Sequence, residues 1–131
     1  MQTKRKVMIN GCFDLFHPGH LYLIKKAKKL GDFLIIGITS DKARIKQGNR
    51  KPIIPEKERK KILEAIRYVD KVEIYNGIHP YKMFKKYKPD IIVLGKEGKN
   101  EMIKQEGMYE KAKIIPRGKW STTKLIDKIR R

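Results

Sequence analysis

The chain has 131 residues and a formal net charge of +19, from 33 lysines and arginines against 14 aspartates and glutamates. A chain of this length builds one hydrophobic core, so we predict a single domain over residues 1–131. The one cysteine, Cys12, excludes an intramolecular disulfide framework, and apolar runs such as FLIIGI are too short to cross a membrane. Because no signal-peptide pattern is present, we expect a cytoplasmic protein without a membrane span.

The predicted strands are short β-branched runs that alternate with longer segments of helical spacing. In chain order they are KVMIN (6–10), FLIIGIT (33–39), VEIY (72–75), DIIVLG (90–95) and AKIIP (112–116). The predicted helices lie in PGHLYLIKKAKKLG (18–31), PEKERKKILEAIRYVD (55–70), HPYKMFKKYKPD (79–90) and STTKLIDKIRR (121–131). This alternation predicts an α/β fold, with a doubly wound parallel sheet of about five strands covered on both faces.

Two segments carry more specific expectations. The spacing in the second predicted helix places four residues inward: Ile62, Leu63, Ala65 and Ile66. The stretch DKARIKQGNRKPIIPEKE (41–58) is predicted to be a long basic loop, of a length that usually has a function.

The positive charge fits either a nucleic acid or a small ligand with several negative charges. Lysines and arginines are spread over nearly every segment, and aromatic residues do not recur beside them as a base-stacking surface requires. We therefore expect a small anionic ligand and no nucleic acid. A basic nucleic-acid-binding module is the alternative from a different functional class.

Two histidines, His17 and His20, flank a Pro-Gly pair between the first strand and the first helix. Ligands bind at the carboxyl ends of the strands in a doubly wound sheet. Gly11 lets a ligand approach the backbone there, and the amides of the helical turn around Gly19 carry the positive end of the helix dipole. The two imidazoles add side-chain donors. The pattern predicts a phosphate site suited to the α-phosphate of a nucleotide.

Other uses of this pattern fit less well. A zinc site would need more ligands than the histidine pair, and the remaining candidates are only His79 and Cys12. The Walker phosphate loop, G-x-x-x-x-G-K-[ST], is absent. We therefore predict no protein-bound metal and an anion site of another type.

Three motifs resemble one enzyme family. GCFDLFHPGH (11–20) resembles the signature G-x-F-D-x-x-H-x-G-H of the cytidylyltransferase-like nucleotidyltransferases, and WSTTKLIDKI (120–129) is similar to their second signature. IRYVDKV (66–72) is similar to the R-Y-V-D segment of glycerol-3-phosphate, choline-phosphate and ethanolamine-phosphate cytidylyltransferases. The resemblance covers essentially the whole chain, in the right order. It implies a Rossmann-like fold and a homodimer.

The resemblance also implies a reaction, in which a substrate phosphate oxygen attacks the α-phosphorus of a nucleoside triphosphate and pyrophosphate leaves. His17 and His20 would donate to the phosphoryl oxygens, and Mg²⁺ would be bound through the nucleotide phosphates. The backbone at Cys12 and Phe13 would approach the nucleotide. Asp14, among the substrate-binding positions, is expected to organise the turn rather than act as a base.

Further site residues follow from the same resemblance. Lys46, in the basic loop, is the third expected catalytic residue, with Arg50 or Lys51 as alternatives because the alignment slips there. Arg59, on the helix before R-Y-V-D, and Arg67, the first residue of R-Y-V-D, match arginines of the family and are expected to bind substrate. The residues expected to bind the β- and γ-phosphates are Ser121, Thr122 and Thr123.

Arg117 indicates the base. IPRGKWSTT (115–123) resembles the PRTEGISTT arrangement of glycerol-3-phosphate cytidylyltransferases, in which the arginine lies by the nucleotide. Arg117 is expected to be both catalytic and nucleotide-binding, donating to the cytosine O2. This favours CTP as the donor and a small phosphorylated alcohol, first of all glycerol 3-phosphate, as the acceptor.

Two features favour a different acceptor or nucleotide. GKEG (95–98) replaces the common G-D-D, so that Lys96 suggests an anionic acceptor and Glu97 stands in for the aspartate. KQGNRKPIIP (46–55) is similar to the K-G-x-x-R-P loop of heptose-phosphate adenylyltransferases. The alternative is therefore an adenylyltransferase that uses ATP and acts on a sugar phosphate of the heptose 1-phosphate type or on FMN.

Overall fold

The computed structural model describes residues 4–77, 80–94, 111–115 and 119–130. The strands in these ranges are β1 (Lys6–Gly11), β2 (Phe33–Thr39), β3 (Lys71–Tyr75), β4 (Ile91–Leu94) and β5 (Ala112–Ile114). The helices are α1 (Pro18–Lys28), α2 (Asp41–Lys46), α3 (Glu56–Glu64), α4 (Tyr81–Tyr87) and α5 (Thr122–Arg130). No helix in the described ranges has the length and apolar character needed to span a membrane.

The described strands form one sheet in the order β3-β2-β1-β4-β5, and every pair in it is parallel. This confirms the predicted α/β fold with a Rossmann-like, doubly wound sheet. After β1 the chain first builds outward through β2 and β3, then returns to add β4 on the other side of β1. The carboxyl ends of β1 and β4 therefore border the crevice where such sheets bind ligands.

Each face of the sheet has its own apolar core, because the strands are buried on both sides. On the face that carries α1 and α3, the core includes Val7, Ile9, Ile24, Leu34, Ile36 and Leu63. On the face that carries α4, it includes Met8, Ile35, Tyr75, Met83, Phe84 and Ile92. The alternation of β1 residues between these two sets follows from the two-residue period of a strand.

Three aspartates hold the amino-terminal edge of the sheet, opposite the crevice. Each directly precedes a strand, and its carboxylate accepts a hydrogen bond from the backbone N–H of a residue on or beside a neighbouring strand. The pairs are Asp32 with Arg5 (2.9 Å), Asp70 with Leu34 (2.8 Å) and Asp90 with Lys6 (2.8 Å). These bonds pair backbone donors that the parallel ladder leaves without a partner at its end.

The predicted loop over residues 41–58 is wrong in part, because its first residues form α2. Ser40 is the N-cap of that helix, and its hydroxyl accepts a hydrogen bond from the backbone N–H of Ala43 at 3.0 Å. A serine followed by a charged segment is an ordinary helix start. The lack of an apolar stripe in DKARIK concealed it.

The inward face predicted for the second helix also needs correction. Leu63 is buried, but Ile62 and Ala65 are exposed and Ile66 is half-buried. The buried side of α3 carries Arg59, one turn before Leu63, where an apolar residue would be expected. The charge of Arg59 hides the true stripe from a reading of hydrophobic spacing.

Arg59 joins three segments of the chain from a fully buried position. Its side chain donates to the carbonyl oxygens of Cys12 (2.7 Å), Thr39 (2.9 Å) and Ile54 (2.9 Å). It also forms an ion pair with the carboxylate of Asp41 at 2.7 Å. A guanidinium with its donors bound to the protein is not available to a ligand, so the expected substrate-binding role of Arg59 is not supported.

Replacing this guanidinium is expected to destabilise the fold. Arg59→Met leaves three buried carbonyl oxygens and one carboxylate without their donor, so we expect a loss of about 3–5 kcal/mol of unfolding free energy. Urea unfolding followed by circular dichroism measures it. Arg67→Met, at an exposed arginine just beyond the same helix, is the control and should stay within about 0.5 kcal/mol of the parent. Equal stability of the parent and Arg59→Met would contradict this role.

Candidate active site

A cavity of about 620 Å³ opens at the carboxyl ends of the strands. It is lined by the end of β1, the turn before α1, the first turn of α1, the segment that follows α2, and α5. Several residues expected from the sequence lie together in this lining: Gly11, Cys12, Phe13, Asp14, His17, Gly19, His20, Ser121, Thr122 and Thr123. The cavity therefore brings the two sequence signatures to one place.

His17 and His20 are fixed by the start of α1 itself. His17 is the N-cap, with extended backbone angles, and its Nδ1 accepts a hydrogen bond from the backbone N–H of Gly19 at 3.1 Å. His20, in the first helical turn, accepts at Nδ1 from the backbone N–H of His17 at 3.2 Å. This is a capping box built from two imidazoles, and it stacks the rings with centroids 3.8 Å apart.

The capping bonds also decide where each neutral ring carries its proton. A nitrogen that accepts a hydrogen bond from a backbone N–H is unprotonated, so the proton of each ring lies on Nε2. Nε2–H is consequently the ring donor that each histidine can offer to an anion. The sequence pattern indicated two donors, whereas their common tautomer follows only from the helix cap.

The turn between β1 and α1 holds strained backbone. Phe13 and Leu15 both have positive φ angles, 54° and 49°, which are uncommon for residues other than glycine. The Phe13 ring lies over Gly11, where an added Cβ would come within 3.2 Å of it, and packs against His20 at 5.3 Å between centroids. Strain of this kind persists only where the surroundings enforce it, and it clusters at functional sites.

Asp14 lies between the two strained residues and binds another segment. Its buried carboxylate accepts hydrogen bonds from the backbone N–H groups of Ile53 and Ile54 at 2.8 and 2.9 Å, and from Arg50 at 2.9 Å. Burial alone would raise the pKa of Asp14, but these three donors outweigh it and hold the pKa below its ordinary value. The carboxylate organises the turn and also anchors residues 50–54 beside the cavity.

The cations around the cavity differ from those expected. Arg44, Arg50 and Lys51 line it, whereas Lys46 is exposed on α2 and is not part of the lining. Of the loop cations named from the sequence, Arg50 and Lys51 therefore lie at the cavity and Lys46 does not. Arg44, in the last turn of α2, was missed because that helix was taken for a loop.

Arg67 also lies away from the cavity. Its guanidinium donates to the hydroxyl of Tyr68 at 2.7 Å and stacks over that ring, 4.9 Å from its centroid. The structure does not place Arg67 in the lining, so its expected substrate-binding role is not supported. Three other expected residues, Arg117, Lys96 and Glu97, lie outside the described residues.

The second signature reaches the cavity through the start of α5. The hydroxyl of Thr122 donates to the backbone carbonyl of Asp14 at 2.8 Å, and Ser121 accepts from the backbone N–H of Lys124 at 3.1 Å. Trp120 stacks on His17 with centroids 6.3 Å apart. It packs over Gly19, where an added Cβ would lie 3.0 Å from the Cβ of Trp120. These contacts connect the two ends of the chain at the histidine pair.

Burial raises the pKa of the Cys12 thiol, the largest effect on that group, although Arg59 and Arg44 oppose it. A thiol held protonated at neutral pH is a poor nucleophile. Among the described residues no group of three or more histidine, cysteine or acidic side chains is placed to hold a metal ion. The groups that line the cavity suit binding and polarisation of phosphate groups, because imidazole, cationic, hydroxyl and backbone N–H donors meet there.

A family model described as cytidylyltransferase-like matches residues 8–127. The chain belongs to the cytidylyltransferase-like family. The matched residues therefore form a nucleotidyltransferase domain. As a member of this family, it has its first signature in the turn and cap described above, and its second at the start of α5.

Individual relatives agree with this assignment. The chain is 39% identical over 134 residues to the "Bifunctional protein HldE" of Helicobacter pylori (strain P12), in an alignment that covers 100% of this chain and 29% of that protein. It is 39% identical to the protein of the same name from a Nitratiruptor species, over 97% of this chain and 28% of that one. The nucleotidyltransferase thus spans under a third of the length of these relatives.

A solved structure shows the same fold. The crystal structure of the lipopolysaccharide core biosynthesis protein from Thermoplasma volcanium GSS1 aligns with a TM-score of 0.75 and 29% sequence identity. The alignment covers 91% of this nucleotidyltransferase and 100% of that chain.

Each histidine has a substitution that separates catalysis from capping. His17→Ser keeps an N-cap acceptor, and His20→Glu keeps the capping-box partner, but neither new side chain has an N–H donor. We expect each to lower kcat for pyrophosphate release by about 10², roughly 2.7 kcal/mol of transition-state stabilisation, with little change in unfolding midpoint. A double variant that retains the parent rate would contradict the donor role.

The pKa of Asp14 gives a pH dependence of stability. Because its folded pKa is below the unfolded value of about 3.9, the carboxylate stabilises the fold above about pH 4, and this contribution is lost as the pH falls through the folded pKa. Asp14→Asn should therefore be less stable than the parent at neutral pH and should approach it as the pH falls through the folded pKa of Asp14. Unfolding free energies across pH 2–7 test this. Asp127→Asn, at an exposed carboxylate of α5, is the control.

Proposed function

We propose that this nucleotidyltransferase transfers an adenylyl group from ATP to a sugar phosphate of the heptose 1-phosphate type, with release of pyrophosphate. The observation that carries the proposal is the similarity to the HldE proteins over essentially the whole chain, which favours this acceptor over glycerol phosphate. The likeness of residues 46–55 to the K-G-x-x-R-P loop of heptose-phosphate adenylyltransferases supports the same choice.

The proposal replaces CTP as the nucleotide and glycerol 3-phosphate as the acceptor, which the sequence analysis favoured. That preference depended on Arg117 and on the R-Y-V-D segment. Arg117 lies outside the described residues, and Arg67 of the R-Y-V-D segment lies away from the cavity. Meanwhile Arg50, the arginine of the heptose-like loop, lines the cavity and pairs with Asp14.

In the proposed reaction an oxygen of the sugar phosphate attacks the α-phosphorus of ATP. A new bond forms between that oxygen and the α-phosphorus, and the bond from the α-phosphorus to the bridging oxygen of pyrophosphate breaks. The Nε2–H groups of His17 and His20 donate to the phosphoryl oxygens as their negative charge grows. Arg44, Arg50 and Lys51 attract the β- and γ-phosphates, and no covalent enzyme intermediate is needed.

The proposal includes Mg²⁺, which would be bound through the phosphates of the nucleotide. Of the acidic residues that line the cavity, Asp14 is committed to Ile53, Ile54 and Arg50, while Asp127 is exposed on α5. This donor set fits an ion that keeps most of its ligands as water and phosphate oxygens, as Mg²⁺ does. Bound there, the ion neutralises charge on the triphosphate.

A substrate matrix tests the assignment. Pyrophosphate release should be measured for ATP, CTP, GTP and UTP against heptose 1-phosphate, other sugar 1-phosphates, glycerol 3-phosphate and FMN, with and without Mg²⁺. We expect the highest kcat/KM for ATP with heptose 1-phosphate. A higher kcat/KM for CTP with glycerol 3-phosphate would restore the cytidylyltransferase assignment. The homodimer implied by the family resemblance is a further prediction, which sedimentation equilibrium tests.

A further inference from the structure

Asn10 is a polar side chain whose amide group is buried and finds no hydrogen-bonding partner among the described residues. It is the penultimate residue of β1, and its Oδ1 and Nδ2 atoms each expose less than 1 Å². In the part of the chain that the structure describes, neither atom has a hydrogen bond. Unpaired buried amides are costly, so native proteins contain few of them and each asks for an explanation.

A glycine in the neighbouring strand makes room for this side chain. Gly37 is the register partner of Asn10 in β2, and a Cβ added to Gly37 would collide with the Asn10 amide oxygen. The same Cβ would lie 3.0 Å from the terminal methyl group of Met83 on α4. Glycine inside a strand weakens it. Asn10 and Gly37, which each lower stability, are thus adjacent, and residues that lower stability are typical of functional sites.

The position of Asn10 separates it from the phosphate-binding groups. Asn10 lines the active-site cavity, and by strand alternation it is on the same face of the sheet as Met8, the face that carries α4. His17 and His20 enter the cavity from α1, which packs on the opposite face. The α-phosphate lies with the histidines in the proposed reaction, so the α4 side is left for the acceptor.

The chemistry of a carboxamide suggests what it binds. Its oxygen accepts and its nitrogen donates, whereas a phosphate oxygen without a proton only accepts. A hydroxyl group both donates and accepts, and two neighbouring hydroxyls of a sugar match both atoms of the amide. We propose that Asn10 binds hydroxyl groups of the acceptor sugar and so determines specificity for a polyhydroxylated acceptor. This inference rests on the proposed function and deepens it.

In the free protein the Asn10 side chain therefore occupies the space over Gly37. When the acceptor arrives, the carboxamide turns from that place toward the cavity and pairs with the sugar hydroxyls. The turn breaks no hydrogen bond, because none is made at rest within the described residues. Pairing of groups that were unpaired before also discriminates strongly against an acceptor without the hydroxyls.

Asn10→Leu is the main test, since leucine matches asparagine in shape without its polar atoms. We expect the KM for the sugar phosphate to rise at least 10-fold and the KM for the nucleotide to stay within about 2-fold. The melting temperature should not fall, because no hydrogen bond of the free protein is lost. Asn76→Leu, the same change at an exposed asparagine after β3, is the matched control and should leave both KM values unchanged.

Deoxy analogues of the acceptor give an independent readout. The parent should lose at least 10-fold in kcat/KM on the monodeoxy sugar phosphate that lacks the bound hydroxyl, whereas Asn10→Leu should lose little from the same change. Asn10→Ala, which needs no repacking, serves as a second variant and should show the same raised KM for the acceptor.

Each other outcome overturns the inference. An unchanged KM for both substrates means that Asn10 is satisfied by buried water, and a raised KM for the nucleotide alone means that it binds the ribose. A failure of the proposed function is seen separately, as a parent that prefers another nucleotide or acceptor. The comparison of parent and variant then uses that acceptor, and a parent that accepts no hydroxyl-bearing phosphate also overturns the inference.

Discussion

Two buried charged side chains, Asp14 and Arg59, hold the turn between β1 and α1 against the segment that precedes α3. Asp14 accepts from the backbone of Ile53 and Ile54, and Arg59 donates to the backbone of Cys12 and Ile54. Asp14 therefore binds the turn to the segment before α3, while Arg59, on α3 itself, binds the backbone of both. Because the turn leads directly into the histidine cap, the placement of both imidazoles depends on these hydrogen bonds of Asp14 and Arg59.

The two edges of the sheet are built differently. At the amino-terminal edge, Asp32, Asp70 and Asp90 each pair a backbone donor of a neighbouring segment. At the carboxyl edge, Phe13 and Leu15 have left-handed backbone, and the Asn10 amide makes no hydrogen bond within the described residues. The left-handed backbone of Lys88, near the amino-terminal edge, ends α4 instead. Polar groups and unusual backbone that lower stability are typical of a ligand site, and the carboxyl edge borders the cavity.

Helix capping and the proposed phosphate binding use the same two side chains of the first signature, through different ring nitrogens. An N-cap residue must accept a hydrogen bond, and an anion site must donate one. Imidazole does both, because its two nitrogens lie on opposite sides of one ring. The Nδ1 atoms of His17 and His20 close the helix, which places the protons of the neutral rings on the Nε2 atoms. This explains in physical terms why a histidine pair stands where serine and glutamate are the usual capping residues.

The sequence by itself determined the class of fold and the family. Five β-branched runs alternating with amphipathic helices are compatible with little besides a parallel doubly wound sheet. The signatures at 11–20 and 120–129 are short sequence motifs, which can be recognised without a structure. Only the tertiary structure decided the roles of the charged residues. Lys46, Arg50, Arg59 and Arg67 look alike in a chain with 33 basic residues, because charge is visible in a sequence and burial is not. The sequence also could not predict that the Asn10 amide lacks a hydrogen bond within the described residues. Hydrogen bonding depends on which groups the folded strands bring within about 3.5 Å of one another.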